Sequence, residues 1–299
     1  MSALVSEIVK YAESRSKIAL QPDPPRILWH YTTSAGFEAI VRTGTIKLSN
    51  VRYCNDSKEF LHTIELVKIA AKRYAELHTE TSAQIVISKL LEKIDSTDDS
   101  FVPMTFVFCL SEVADDLSQW RGYGGPGQGF AIGFDGSLLA ASAVRKTQLF
   151  RCEYNTHRQI ELLAEVVGAL IMIFLEHGPK PPATEDEIIA AAALAVDHFL
   201  MCLGDFTVGL KHEAFAAERE WRLVAFNPPL KSLEFAGKQD SLSPILFANP
   251  EVKLPIVAFY AGPGQHNRAS AVAGSLQLNR YEFVDVPPYV STIPFRPMK

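Results

Sequence analysis

The sequence predicts an α+β domain of several short strands divided by helical insertions. Short strand-like segments recur from Leu28–Thr32 onward, each bounded by turn residues. Between them lie blocks with apolar residues at helical spacing, such as Leu61, Ile64, Leu66, Val67, Ala70 and Ala71. The strands and helices do not alternate as a regular β-α-β array would, so a mixed fold is expected and a doubly wound one is not. With 299 residues, 47% hydrophobic and 21% charged, the chain can bury a sizeable core as one large domain or as one domain with an elaborate insertion.

In chain order, Met1 to Leu20 has charges distributed through it and reads as an amphipathic helix, not as a cleaved leader. Gln21-Pro22-Asp23-Pro24-Pro25 ends it, because prolines so spaced cannot continue a helix. Residues 1–25 are therefore helix and linker, and residues 26–299 a single domain. Leu28–Thr32 is an apolar strand; Gly36 to Thr43 is a helix that stops at Gly44; Thr45 to Ser49 is a second strand. Phe60–Leu77 and Ala83–Ile94 are helices of an insertion near 58–98. Phe106–Ser111 reads as a buried strand. A polar helical stretch with Trp120, Arg121 and Tyr123 follows, then the glycine loop Gly124-Gly125-Pro126-Gly127. Gly129–Phe134 is a strand closed by Asp135-Gly136, and Thr147–Tyr154 is another. A second insertion near 157–205 contains helices Gln159–Glu176 and Glu185–Cys202, the latter with Thr184 as N-cap and Glu187 at capping-box distance. The apolar run Leu162–Leu175, broken by Glu165 and Gly168, is shorter than the roughly 20 residues of a bilayer span and reads as a buried helix. Strands Glu220–Phe226 and Leu254–Tyr260, a short helix near Arg268 and a last strand Arg280–Val286 complete the chain.

Composition narrows the function classes. A net charge of −5 and a pI near 5.9 give no whole-chain electrostatic footprint for nucleic acid or anionic membrane. Cys54, Cys109, Cys152 and Cys202 are scattered without C-x-x-C spacing, so neither a structural metal nor a disulfide framework is expected, and a reduced, cytoplasmic protein is the default. No Walker sequence, dinucleotide fingerprint or G-x-S-x-G elbow is present. The glycines from Gly122 to Gly129 serve either as a loop that lets a ligand approach or as a tight helix-to-strand connection.

Three segments carry a resemblance. The first is Leu28-Trp29-His30-Tyr31-Thr32 with its following helix, glycine turn and strand. The second is the strand ending at Ser111 with the aromatic short helix after it. The third is Glu218-Arg219-Glu220-Trp221-Arg222-Leu223-Val224. Their order resembles the three motifs of the ADP-ribosyltransferase superfamily of His-Tyr-Glu type. The finer pattern (HYTT, NDSKEF, CLSE, a W-R-G-Y helix, EREWRL and a closing S-T-I-P-F-R) resembles a bacterial family known as domain of unknown function 2971, from His30 to Arg296.

The superfamily resemblance implies a fold of short mixed strands in two packed sheets, with NAD as the substrate that donates an ADP-ribosyl group. It further implies a macromolecular acceptor, protein or nucleic acid, as in bacterial toxin and phage-defence transferases. A non-catalytic nucleotide- or partner-binding module and an NAD glycohydrolase are the alternatives; no membrane partner is expected. Cleaving the bond between nicotinamide and ribose builds an oxocarbenium-like cation, which calls for a fixed negative charge. Glu220 is the candidate, and Glu218, on the same strand face by this count, would contact the acceptor. An ion pair of Glu220 with Arg219 or Arg222 at a strand end is the other reading. His30 would bond a ribose hydroxyl and Thr32, two residues on, the same sugar or the amide of the base. Tyr31 points oppositely in a regular strand, which favours packing over its superfamily role in stacking. Trp120 or Tyr123 would stack on the nicotinamide unless it is core. Ser111 would orient the amide, and Arg52 and Arg121 match a pyrophosphate unless they are plain surface residues.

Overall fold

A computed structural model describes residues 3–54, 59–96, 104–125, 129–141, 144, 146–180, 182–238, 241–250 and 253–294. The helices in chain order are α1 (Ala3–Leu20), α2 (Ser34–Thr43), α3 (Glu59–Leu77), α4 (Thr81–Asp95), α5 (Leu117–Tyr123), α6 (Gly136–Ala140), α7 (Thr156–His177), α8 (Glu185–Gly209) and α9 (Asn267–Arg280). The strands are β1 (Ile27–Thr32), β2 (Ile46–Asn50), β3 (Thr105–Ser111), β4 (Phe130–Asp135), β5 (Gln148–Arg151), β6 (Glu220–Phe226), β7 (Leu233–Lys238), β8 (Ser241–Ala248), β9 (Ile256–Ala261) and β10 (Pro288–Val290). The fold class is α+β, as the sequence predicts.

The chain divides into two compact units: a helical one of residues 1–22, 55–103 and 152–215, and one of residues 23–54, 104–151 and 216–299 that holds the strands β1 to β10. In the helical unit α1 packs on α7 and α8, so the leading helix joins the inserted helices. The capping box foreseen at α8 is formed: Thr184 Oγ1 accepts from the Glu187 N–H and the Glu187 carboxylate accepts from the Thr184 N–H, satisfying two donors that a helix start leaves open. This helix runs to Gly209, past the expected end at Cys202, because its last turns are buried through Phe206, Thr207 and Val208. It has the length and hydropathy of a membrane span, with Ala192, Ala195, Val196, Phe199 and Leu203 buried in the unit.

In the strand unit, local chemistry fixes the ends of the elements. The Thr33 hydroxyl accepts from the Gly36 N–H to start α2, and Gly44 ends it at φ 63°, a conformation that costs glycine least. Asp135 caps α6 through the Leu138 N–H, so Asp135-Gly136 opens a helix and does not merely close a strand. The strands are ordered β10-β9-β4-β1-β3-β2-β8-β7, with β6 on β3 and β5 on β6. β9 and β10 are parallel; the other pairs are antiparallel. Pairing thus links ten strands among the described residues into one sheet, where two packed sheets are expected.

The linkage is narrow. β1 pairs with β4 along its whole length but meets β3 only at Trp29↔Ser111. The sheet therefore forks between β1 and β3, and side chains from both prongs, Leu28, Ile132, Phe134 and Phe259 with Leu48, Phe106, Phe108 and Leu223, share one core.

Three strand expectations are corrected. Arg280–Val286 is not a strand: α9 continues to Arg280, left-handed residues at Glu282 (φ 63°) and Asp285 (φ 57°) turn the chain, and the last strand is Pro288–Val290. Glu218 ends a short 3-10 helix, Glu213–Glu218, and the strand begins only at Glu220. Thr147–Tyr154 shortens to Gln148–Arg151. The hairpin of β7 and β8 is additional to the strands expected.

Candidate functional site

A cleft enclosing about 40 Å³ opens at the fork, lined by Trp29, His30, Tyr31, Cys109, Leu110, Gln119, Tyr123, Glu218 and Glu220. Three segments far apart in sequence converge here, β1, the end of β3 with α5, and the start of β6. They are the segments singled out above.

His30 lies on the core side of β1, stacked on Phe108 with ring centroids 3.9 Å apart. Its Nδ1–H donates to the Cys109 carbonyl at 2.8 Å, which fixes the tautomer and leaves Nε2 as an acceptor. Burial pushes the imidazole pKa down to about 4, against the opposing effect of that hydrogen bond, so the ring is neutral at pH 7. A neutral, oriented imidazole can accept from a sugar hydroxyl.

Glu220, Arg222 and Val224 share one face of β6 while Trp221 and Leu223 enter the core, as strand alternation requires. Glu220 is 5% exposed and Arg222 3%. The guanidinium grips the carboxylate through both oxygens, Nε to Oε1 at 3.0 Å and Nη2 to Oε2 at 2.9 Å. The ion-pair reading of this residue is thus realised with Arg222, but inside the cleft wall and not at a solvated strand end. Burial first, and then neighbouring Glu220, push the Cys109 thiol pKa up, so the sulfur is a protonated wall atom and not a nucleophile.

Arg219, between the two cleft carboxylates, has φ 44°, a left-handed conformation that an L-residue adopts at a cost. This kink, not strand periodicity, brings Glu218 and Glu220 to the same cleft. The end of β3 clamps it: the Ser111 hydroxyl donates to the Glu218 carbonyl at 2.8 Å, and the Glu112 N–H donates to the Arg219 carbonyl at 3.1 Å. Ser111 also accepts from the Val113 N–H. Its hydroxyl is therefore committed to backbone, in place of the expected role toward an amide.

On α5, Asp116 caps the first turn through the Ser118 and Gln119 N–H groups. Gln119 and Tyr123, four residues apart, share the face that looks into the cleft. Trp120 does not: it is 1% exposed, packs edge-on against Tyr31 and donates its indole N–H to Asp115 at 2.7 Å. Trp120 is core, and Tyr123, 36% exposed, is the aromatic of α5 that lines the cleft. Tyr31 touches the cleft but its hydroxyl donates to the Val113 carbonyl and accepts from the Asp116 N–H, a packing and anchoring role.

Other expected contacts are not brought to the cleft. Thr32 turns its hydroxyl toward Gly36 on α2, so close that a Cβ on Gly36 would overlap it. Arg52, exposed in the 3-10 turn Val51–Tyr53, and Arg121, exposed on α5, do not line the cavity. Asn55 to Lys58, Gly127 and Arg296 lie outside the described residues. Sequence reasoning missed Gln119, whose signal is its spacing from Tyr123, and Cys109, which meets Arg222 only through the β3–β6 register and carries no signal in the sequence. Among the described residues no three His, Cys, Asp or Glu side chains group to hold a metal ion.

Fold and site together define an α+β protein with a narrow cleft walled by an imidazole, two phenols and two carboxylates at the fork of its sheet. Residues 119–223, from Gln119 through Glu218, Glu220 and Arg222 to Leu223, match the family described as Protein of unknown function (DUF2971). Searches of curated proteins and of solved structures each returned no match.

Proposed function

We propose that the protein has an ADP-ribosyltransferase-like fold and transfers ADP-ribose from NAD to a macromolecule, protein or nucleic acid, in the manner of a toxin or phage-defence effector. The observation that carries this reading is the convergence of His30, Tyr123, Glu218 and Glu220 on one cleft from three distant segments. Tyr123 offers a face to a cationic nicotinamide ring, worth about 0.5–2 kcal/mol. His30 Nε2 accepts from a ribose hydroxyl. Glu220, oriented by Arg222, accepts from a second hydroxyl and faces the cation as it develops at the anomeric carbon. Glu218 stands one backbone kink away to receive the acceptor nucleophile and its proton.

The cleft, at about 40 Å³, is well below the roughly 300–1,000 Å³ of ligand pockets. Entry of the ring therefore requires Tyr123, at the end of the short helix α5, to move.

One observation favours the binding-module reading. A guanidinium already neutralises Glu220, which weakens it as a charge stabiliser while leaving it a good hydrogen-bond acceptor.

Thermal unfolding with NAD tests the donor assignment, because a ligand that binds only the native state raises stability, by about 2.7 kcal/mol at a hundredfold excess over Kd. The melting temperature should rise with millimolar NAD and rise less in His30→Ala. An unchanged wild-type midpoint overturns the assignment.

A further inference from the structure

Resting on the donor reading above, we propose that Tyr260 and Tyr289 form a stacking platform for the purine of the same dinucleotide, outside the cleft. Tyr289 of β10 stands directly beside Tyr260 of β9 in the parallel register, and their rings stack with centroids 5.0 Å apart at 24°. Tyr260 in turn meets Trp29 edge-on at 5.3 Å. Trp29 lines the cleft. An unbroken aromatic run thus leads from the cleft wall across one face of the sheet and ends at Tyr289, which is 45% exposed. Single exposed apolar residues need no explanation, but a continuous stacked run that begins at a ligand cleft does.

The chemistry fits an aminopurine. A planar base matches an exposed phenol face, and stacking of this kind holds bases without sequence readout. The Asp115 charge raises the Tyr260 phenol's pKa after the larger effect of burial. The Asp115 carboxylate accepts from the Trp120 indole at 2.7 Å and from the Thr292 N–H at 3.3 Å, one bond to each oxygen. Each oxygen therefore keeps a lone pair for the exocyclic amine of the base. The cleft is too small for both rings of a dinucleotide, so the second must rest outside it.

Calorimetric titration of the full chain with AMP, nicotinamide mononucleotide and ribose 5-phosphate separates the possibilities. AMP should bind the wild type, lose at least about fivefold in affinity in Tyr289→Ala, and recover in Tyr289→Phe. Nicotinamide mononucleotide should bind all three alike. Equal AMP affinity in wild type and Tyr289→Ala overturns the platform. So does nicotinamide mononucleotide binding without AMP binding, or ribose 5-phosphate binding as tightly as AMP. If neither AMP nor nicotinamide mononucleotide binds, the donor reading falls and takes the platform with it.

Discussion

Replacing Glu220 with Gln tests structure and chemistry at once, because the residue sits in a two-point ion pair that is almost wholly buried. The substitution keeps the side-chain volume and one acceptor, so the bond from Arg222 Nε survives. The second contact becomes donor against donor, Gln Nε2 facing Arg222 Nη2, and the guanidinium loses the negative charge it faces. Removing one partner of a buried pair costs about 3–5 kcal/mol; with one hydrogen bond retained, the lower end, about 3 kcal/mol, is expected. Urea unfolding of the wild type, Glu220→Gln, Arg222→Met and the double variant reads this directly. The double variant should be more stable than the sum of the singles by about 1–3 kcal/mol, the range of coupling between contacting residues. A Glu220→Gln loss under about 1 kcal/mol, or singles that add to within about 0.5 kcal/mol, would refute the buried-pair account.

Three further outcomes follow from the geometry. Trp120→Ala should cost about 3–5 kcal/mol of stability, as a large core truncation does, while the folded variant binds NAD normally; weak binding with intact stability would return Trp120 to the cleft. Arg219→Gly should be neutral or stabilise by under about 1 kcal/mol and Arg219→Val should destabilise, since only glycine holds φ 44° without strain; the reverse order in thermal melts contradicts the kink. Asp205 on α8 has its pKa raised to about 6 by burial and then by Glu13. The folded state thus holds this proton through the range where the unfolded chain has lost it, so stability falls as pH rises from about 4 to about 6. Asp205→Asn should remove that fall and stabilise at pH 7 by up to about 3 kcal/mol; an unchanged pH profile would sink the assignment.

Much of the frame was legible because local rules and tertiary packing agree there. Gly44 at the end of α2, Thr184 and Glu187 at α8, and the alternation of Glu220 to Val224 each state their structure in residues that physics allows few alternatives, whereas the Thr33 cap that starts α2 at Ser34 was not read. The site was legible as segments but less so as side chains. Trp120 and Tyr123 sit on one short helix, and only the side of that helix facing the cleft separates core from ligand contact; the i to i+4 spacing of Gln119 and Tyr123 holds that information. The pairing of Glu220 with Arg222 was open as one of two partners, and burial decided it. The left-handed Arg219 could not be read, because an arginine carries no local preference for that conformation and the clamp on it comes from Ser111 and Glu112, more than a hundred residues away. Phe283 and Val284 read as strand by propensity, yet the turns at Glu282 and Asp285 override them. The β7–β8 hairpin escaped because Gly237 and Pro244 interrupt its alternation.

The central claim is that this cleft breaks the bond between nicotinamide and ribose, and nicotinamide release from NAD by the purified protein measures it most directly. Release should be catalytic in the wild type, as slow transfer to water if no acceptor is supplied, and should fall by at least about 10²-fold in Glu220→Gln assayed where both proteins are folded. Binding of NAD without any nicotinamide release, with or without a macromolecular acceptor, would contradict the transferase and leave a binding module; release that Glu220→Gln leaves unchanged would place the chemistry outside this cleft.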